Sequence, residues 1–460
     1  MIDPFLHLHK VGPGLFEFSG LRTANIRDQM LRAYLAVKRC AKIGLIGQRR
    51  PLLILGGGAA GVTAAMTSAE LGIPAVLYEK RPSCFTRQAS CDRYLDPNEY
   101  DWPADHWKLT SLQKPVPLPY VAAKASVLAG RWRTEFDKWR KTSRNARLLT
   151  VNEHTELNPN DVLFRAPDSV LALDPHTHSF ARFGAALSCV GFAKERVHAS
   201  EAREPDSTEY QGFPFWEWDP YDHPDFRLSL RRSPKVIISG GGDGALQDFI
   251  RVLTGLTAKA CYQEVFFGKE INTSACLAAD EEAHRAYPWH ADPHMTAHSV
   301  LVEWHRRYVV EAVRIFKEEL TDADKVRIRK LFRDVHVTLV HGCNHFDFCY
   351  GLNRLLVLLL AMVRVEKPEE VGEIIVPNTG VAHVMSAELG HVCGDPVKCH
   401  DISHHVTYKR LQCYGQMGST PVPADDDRDI VILRHGLIRT ASFGEVPVPN
   451  QTVPYWLDEV

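Results

Sequence analysis

The sequence predicts an α/β chain built on two parallel-sheet units. Three observations predict it. Pro51–Lys80 (PLLILGGGAAGVTAAMTSAELGIPAVLYEK) reads as strand, glycine turn, helix, short connection and strand. A second strand–glycine–helix unit, Lys235–Gly255 (KVIISGGGDGALQDFIRVLTG), starts its glycines at Gly240, 184 residues after Gly56 (240 − 56). Continuous apolar runs that close on glycine, as strands buried on both faces do, recur at Ala185–Val190 and Asp429–Gly436.

The elements follow in order. Ile26–Lys42 places Ile26, Met30, Leu31, Tyr34, Leu35 and Val37 near helical spacing, with Arg and Lys between them. It reads as an amphipathic helix with a solvated basic face, part of an N-terminal extension over residues 1–50. Leu52–Leu55 is a buried strand, and the Ala-rich Ala59–Leu71 is a helix pressed onto a sheet. Gly72 ends that helix, Pro74 blocks its continuation, and Ala75–Tyr78 is the next strand. Residues 81–130 are irregular and rich in Pro, Trp and Asp, which marks them as candidate substrate walls. Arg131–Arg144 returns to helix and Arg147–Val151 to strand. Val162–Arg165 and Val170–Leu173 suit a small antiparallel piece. Residues 195–232 read as a domain crossing. In the second unit Ala258–Phe267 reads as the strand after the glycine helix. Residues 278–332 read as mostly helical and as further candidate substrate walls. Val335–Val340 reads as strand, Leu352–Val363 as helix and Glu373–Val376 as strand.

Composition excludes several classes. The 460 residues carry 54 Lys and Arg against 56 Asp and Glu, so no basic excess exists to meet a nucleic-acid backbone. With 45% apolar and 24% charged residues, the chain has an ordinary globular mix and is not disordered over most of its length. Leu355–Val363, flanked by Arg354 and Arg364, is only half of the roughly 18 apolar residues that suggest a membrane span, and reads as a core helix. The first residues, MIDPFLHLHK, lack the pattern of a secretory signal, so no targeting segment is expected. Eleven scattered cysteines suit a reducing, cytoplasmic setting with most thiols free.

Chemistry concentrates at the first glycine turn. Gly56, Gly58 and Gly61 form Gly-x-Gly-x-x-Gly between a strand and a helix. The first glycine permits the turn, the second lets backbone approach a pyrophosphate, and the third packs helix on strand. The free N–H groups and dipole of the helix that Ala59 and Ala60 open favour phosphate. Glu79, 23 residues beyond Gly56, can accept from an adenosine ribose and would repel a 2′-phosphate. Gly57, between the first two glycines, and Lys80, beside the acid, complete the candidate contacts.

This constellation, with Glu79-Lys80 and a long aromatic loop after it, resembles the FAD-binding domain of two-dinucleotide-binding-fold flavoproteins. The second glycine unit stands where those proteins carry an inserted nicotinamide-binding domain. Asp96–Trp107 (DPNEYDWPADHW), Ser239–Asp248 (SGGGDGALQD), Leu352–Leu360 and Val431–Gly436 (VILRHG) are similar to stretches of bacterial FAD/NAD(P)-binding oxidoreductase-like proteins. The resemblance implies a FAD/NAD(P)-binding Rossmann-like three-layer fold with a second, inserted Rossmann-like domain carrying extra helices. It also implies a domain plan. Residues 51–232 hold the first part of the FAD-binding domain, 233–375 the insert, and 376–460 return to the FAD-binding domain. Ser188–Phe192, with Gly191, resembles the segment joining the two halves of flavin domains. Gly394-Asp395 resembles the late Gly-Asp whose carboxylate meets the flavin ribityl chain. FAD is the implied cofactor, with NAD(P)H at the second unit and a small molecule as substrate.

The second unit departs from the pattern. Ala245 replaces the last glycine, a tolerated change. Asp243 lies in the turn beyond Gly240 and Gly242, where a carboxylate opposes a pyrophosphate. Either the turn binds a nicotinamide, with Lys269 available for a 2′-phosphate, or it is a structural copy in which Asp243 caps the helix that follows. Asp243, His341 and His345 are the catalytic candidates, the two histidines because they follow a strand at the edge where α/β sheets present ligands. Cys84 and Cys91 lack the spacing of a redox pair. His290, His294 and His298, and the late group Cys393, Cys399, His400 and His404, lack metal-site spacing, so no metal is expected. Three functions remain open: a FAD-dependent reductase or monooxygenase, a dinucleotide-binding sensor or assembly module without turnover, and an NAD-dependent dehydrogenase lacking flavin.

Overall fold

Apolar residues at strand spacing build two separate parallel sheets. The computed structural model describes residues 3–18, 25–164, 169–191, 195–199, 210–216, 233–286, 295–347, 349–386, 404–413, 416–417, 423–435 and 443. The chain divides into two units. The first comprises Met1–Pro97, Leu109–Lys194 and Arg439–Val460, and the second Asn98–Lys108 and Glu195–Ile438.

In the first unit the principal strands are β1 (Lys10–Gly12), β2 (Leu15–Glu17), β3 (Leu52–Leu55), β4 (Ala75–Glu79), β5 (Leu149–Glu153), β6 (Val162–Phe164), β7 (Val170–Leu173), β8 (Phe180–Phe183) and β9 (Ala185–Ser188). The main sheet runs β1-β2-β9-β3-β4-β5, parallel throughout except for β1 on β2. Strands β3 and β9 are buried along their whole lengths, which explains their unbroken apolar runs. Helices α1 (Ile26–Lys42), α2 (Ala59–Glu70) and α3 (Ala125–Thr142) belong to this unit. Ala64, Ala65 and Ala69 of α2 are fully enclosed, so small side chains let the helix pack closely. Strands β6, β7 and β8 form the expected antiparallel piece, with one strand more than the sequence predicts.

Three readings change here. The basic face of α1 is solvated only in part: Arg27 and Arg32 are buried, whereas Lys38 and Lys42 are exposed. Arg27 is satisfied inside, by Asp28 at 3.0 Å and by the carbonyl of Pro97 at 3.1 Å. Helix α3 begins at Ala125, six residues before the predicted start, because Ala125, Leu128 and Ala129 extend its buried stripe. Finally, residues 1–50 are more than a helical extension, since β2 adds a parallel strand beside β9.

The second unit repeats the plan. Its principal strands are β10 (Lys235–Ser239), β11 (His336–His341), β12 (Ile375–Pro377), β13 (Thr379–Ser386), β14 (His404–Arg410), β15 (Asp426–Arg428) and β16 (Ile430–Leu433). The parallel sheet runs β12-β11-β10-β16, as β5-β4-β3-β9 does in the first unit. In both, an antiparallel three-stranded piece separates the third parallel strand from the fourth. The helices are α4 (Asp243–Thr254), α5 (Ala258–Val265), α6 (Ser274–Ala286), α7 (Met295–Arg314), α8 (Asp322–Arg329) and α9 (Gly351–Val365). Helices α5–α8 are the extra ones, inserted between α4 and β11. Leu352 and Leu355–Val363 of α9 are buried, and no helix among the described residues is long and apolar enough to cross a membrane.

Ala258–Phe267 is therefore not a strand. Thr257 caps α5 by accepting from the N–H of Ala260, and Ala258, Cys261 and Val265 recur at helical spacing on its buried side. The true second strand, β11, lies beyond the helical insertion. The second unit also runs past residue 375, because β16 pairs with β10. Phe443, in the first unit, donates its N–H to the Glu17 carboxylate at 2.9 Å. Asn98–Lys108, from the irregular segment, belongs to the second unit, where Trp102 and Trp107 join the core. There Lys259 donates to the carbonyl of Trp107 at 2.8 Å.

Candidate dinucleotide sites

In each unit the order of the parallel strands reverses beside the strand that precedes the glycine turn. Ligands of open α/β sheets bind at such points, beyond the carboxyl ends of the strands. In the first unit this edge carries Gly56–Gly58 after β3 and Cys189–Gly191 after β9.

The glycines there have different reasons. Gly56 has φ +98°, and a Cβ on it would lie 2.4 Å from the carbonyl oxygen of Cys189. A Cβ on Gly61 would lie 1.9 Å from the carbonyl oxygen of Gly56, so packing alone demands glycine. Gly58 is different. It is the N-cap of α2, with φ −74° and ψ −175°, extended backbone that any residue adopts. A Cβ there would meet no protein atom within 4 Å. Neither the fold nor the backbone asks for glycine at this position, and no side chain caps the helix. The first N–H groups of α2, at Ala59, Ala60 and Gly61, have no acceptor within the helix.

Glu79 ends β4 beside this turn and is 9% exposed. One of its carboxylate oxygens accepts from the N–H of Gly57 at 2.6 Å, the other from that of Arg81 at 2.8 Å. Each oxygen keeps accepting capacity for a further donor. The structure thus brings together Gly56, Gly57, Gly58, Ala59, Ala60, Gly61 and Glu79, with Gly191 at the end of β9. Lys80 is directed elsewhere, as an exposed partner of Glu156 at 3.6 Å. Gly394 and Asp395 lie outside the described residues, as do His290, His294, Cys393, Cys399 and His400. His298 falls on α7, and its side chain is not described. His404 is buried on β14. Among the described residues no group of three or more His, Cys, Asp and Glu is placed to hold a metal ion.

The second unit repeats much of this geometry. Gly240 has φ +145°, and a Cβ on it would lie 2.3 Å from the carbonyl oxygen of Arg434. Its N–H donates to Val340 at 2.9 Å, as that of Gly56 donates to Tyr78 at 2.8 Å. Gly242, the N-cap of α4, matches Gly58: extended, without a side-chain cap, and open where a Cβ would stand. Ser239 pairs with Val340 as Leu55 pairs with Tyr78, so His341 holds the register position of Glu79.

Asp243 behaves otherwise than the sequence suggests. It does not cap its own helix. Its Oδ1 accepts from the N–H of Tyr350 and from the side-chain amide of Asn353, each at 2.8 Å. Tyr350 is the N-cap of α9, so Asp243 caps α9. Loss of solvation around the carboxyl pushes its pKa up to about 7, against the pull of Asn353, Tyr350 and Arg354. Asp280 is likewise pushed up to about 7 by burial, although Trp304 and Tyr308 donate to it at 2.7 and 2.8 Å. Lys269 is not available to a phosphate. It pairs with Asp324 and donates to the Glu319 carbonyl at 2.9 Å, because the segment before it is helix and not the strand beside the turn.

His341 and His345 are buried at the end of β11. Burial, with His345 and Arg354 nearby, lowers the His341 pKa to about 3, leaving a neutral imidazole and a poor proton acceptor. The sequence reading missed three features of this edge. Ser239 and His435 share a hydrogen bond of 2.8 Å across β10 and β16. Asp347 lies in the loop after β11. Cys343, in the same loop, is disulfide-bonded. Only the run VILRHG hinted at the first, and no spacing rule points to the others. Cys84 and Cys91 are buried and free; burial, then Glu153, raises the Cys84 thiol well above its ordinary range.

No protein-family model matches the chain, and no curated protein matches it in sequence. Among solved structures it is similar to thioredoxin reductase of T. acidophilum, at 12% identity over 85% of this chain and 77% of that one, with a TM-score of 0.34. It is similar to the bacillithiol disulfide reductase of Staphylococcus aureus, at 12% identity over 84% and 76%, with a TM-score of 0.37. It is also similar to a cyclohexanone monooxygenase, at 11% identity over 84% and 73%, with a TM-score of 0.36. The functional reading rests on the geometry of the two turns.

Proposed function

We infer that the protein is a FAD-dependent oxidoreductase, with FAD held in the first unit and a nicotinamide dinucleotide in the second. One observation carries the reading. Gly58 and Gly242 are glycines that neither backbone nor packing requires, each at an uncapped helix N-terminus beside a tight turn. A cofactor pyrophosphate is the group that needs both the missing side chain and the open N–H donors. In the first unit the N–H groups that open α2 hold the pyrophosphate, and Glu79 accepts from the adenosine ribose. Gly191 leaves the end of β9 open beside them. A bound flavin supplies two-electron chemistry between a nicotinamide and an acceptor.

The test is to denature the purified chain and identify what it releases. The expected result is FAD, one per chain; release of no nucleotide, or of a nicotinamide alone, contradicts it. Glu79→Gln provides a finer check. It keeps an acceptor for the turn and removes the charge that accepts from the ribose. FAD should bind about 10–100-fold more weakly, the worth of a hydrogen bond to a charged group. Unchanged affinity in a titration of apo-protein would place the ribose elsewhere.

A further inference from the structure

Strands β3, β4 and β5 lie side by side and parallel in the first unit. With the pyrophosphate on the turn after β3 and the ribose on Glu79 at the end of β4, the base of the same dinucleotide extends towards the end of β5. That end carries Glu153, the register partner of Glu79. The loop after β4 ties these groups to the turn. The N–H of Phe85 donates to the Gly57 carbonyl at 3.0 Å. A Cβ on Gly57 would lie 2.8 Å from Cys84 Sγ and 3.0 Å from Glu79 Oε2. The N–H of Cys84 donates to Glu153 Oε1 at 2.8 Å, and the Cys84 thiol also hydrogen-bonds to the Glu153 side chain. Arg133, on α3, donates to the Cys84 carbonyl and stands 3.7 Å from Glu153 Oε1. Of the neighbouring polar side chains, Lys80 pairs with Glu156, and Arg81 and His154 are exposed. A carboxylate has about four lone-pair sites, so these donors leave Glu153 the capacity for one more. Its side chain is 32% exposed, within reach of a group from outside the protein.

We propose that Glu153 reads the base of the dinucleotide held by the first unit, its carboxylate accepting from the exocyclic amine of the adenine. The inference rests on the reading of the first turn as the FAD site. A carboxylate only accepts, and the adenine amine is a donor that projects from the base at the end away from the ribose. Arg133 makes the arrangement tolerable. Its charge offsets the repulsion between Glu79 and Glu153, and its tie to the Cys84 carbonyl holds it on the Oε1 side of Glu153. Neither the N–H groups of α2 nor Glu79 can tell one base from another, because they meet the phosphates and the ribose alone. Recognition of the base therefore falls to Glu153, which lies 97 positions after Gly56 (153 − 56) and outside the glycine motif.

The experiment is a titration of the full chain, freed of bound nucleotide, with FAD and with the FAD analogue whose base is unsubstituted purine, each followed through flavin fluorescence. The two ligands differ only in the amine. The wild type should bind FAD about 10–100-fold more tightly, the worth of a hydrogen bond to a charged group. Glu153→Gln keeps an acceptor without the charge and should reduce the ratio to within about fivefold. Glu153→Met removes the acceptor and should bring the ratio close to one. Each ratio compares two ligands on one protein, so a general loss of affinity through a displaced Cys84 loop does not imitate the result. Gly58→Val should abolish binding of both ligands. A wild-type ratio near one, or a ratio that Glu153→Met leaves unchanged, overturns the inference and leaves the FAD site standing. Binding that survives Gly58→Val, or the binding of neither ligand by the wild type, overturns the reading of the first turn and the inference with it.

Discussion

Gly58→Val is expected to give a folded chain that no longer holds a dinucleotide, whereas Gly61→Val is expected not to fold. The two residues are three apart at one turn, and the motif assigns them different tasks. The structure separates them. A Cβ at 61 would penetrate the carbonyl of Gly56 at 1.9 Å, a backbone group that no side-chain movement can clear. Relief requires α2 to lift off β3, whose four residues are all buried. A cost of about 4 kcal/mol or more is expected, a large part of the total stability of an ordinary domain. A Cβ at 58 meets nothing within 4 Å, and the backbone there suits any residue. The only intramolecular cost is a poorer N-cap, about 1 kcal/mol. Circular dichroism and thermal melting report the fold, and released nucleotide reports the cofactor. If Gly58→Val retains full cofactor, the open space over α2 does not hold the pyrophosphate.

Asp243→Asn is expected to stabilise the protein at pH 8 and to leave nicotinamide affinity flat. The folded-state pKa of Asp243 lies near 7, above its ordinary value. A carboxyl raised in this way contributes stability that is fully present below about pH 3.9, the unfolded value. That contribution is lost as pH rises through the folded value near 7, because the folded chain resists giving up the proton. Asparagine keeps the oxygen that accepts from Tyr350 and Asn353 and has no proton to lose. The variant should therefore gain about 1 kcal/mol or more over the wild type at pH 8, and the gain should shrink towards pH 4. Asp280 titrates in the same direction, so a wild-type slope with pH will survive the single substitution. Denaturant unfolding at several pH values checks the sign. Nicotinamide affinity should not change, because the carboxylate is engaged at the start of α9. Tighter binding by the variant would show that its charge faces the phosphates after all.

Much of this architecture can be read from local pattern. Ile26–Lys42 and Leu52–Leu55 match their predicted bounds because each is a single element set by its own periodicity and end signals. The first turn is legible because strand, glycines, helix and acid lie within thirty residues, Pro51–Lys80. At the second only the strand, glycines and helix are legible, because α5–α8 separate that helix from its second strand. Without that strand, neither the register of His341 nor the carboxylate of Asp347 can be located. Burial of Arg27 depends on the carbonyl of Pro97, 70 positions away. The attachment of Asn98–Lys108 to the second unit depends on Lys259, 152 positions from Trp107. Asp243 shows the same limit: its residue type suggests a cap, and only tertiary contact reveals that the helix it caps is α9.

The central claim is that a flavin and a nicotinamide share this chain. The most direct measurement is an anaerobic titration of the purified protein with NADH, followed through the visible absorption of oxidised flavin. A yellow protein whose absorption bleaches on addition of one equivalent of NADH is the predicted result. Colourless protein would contradict the assignment of the first turn to FAD. A yellow protein that neither NADH nor NADPH bleaches would contradict the oxidoreductase reading of the pair and support a dinucleotide-binding module without turnover.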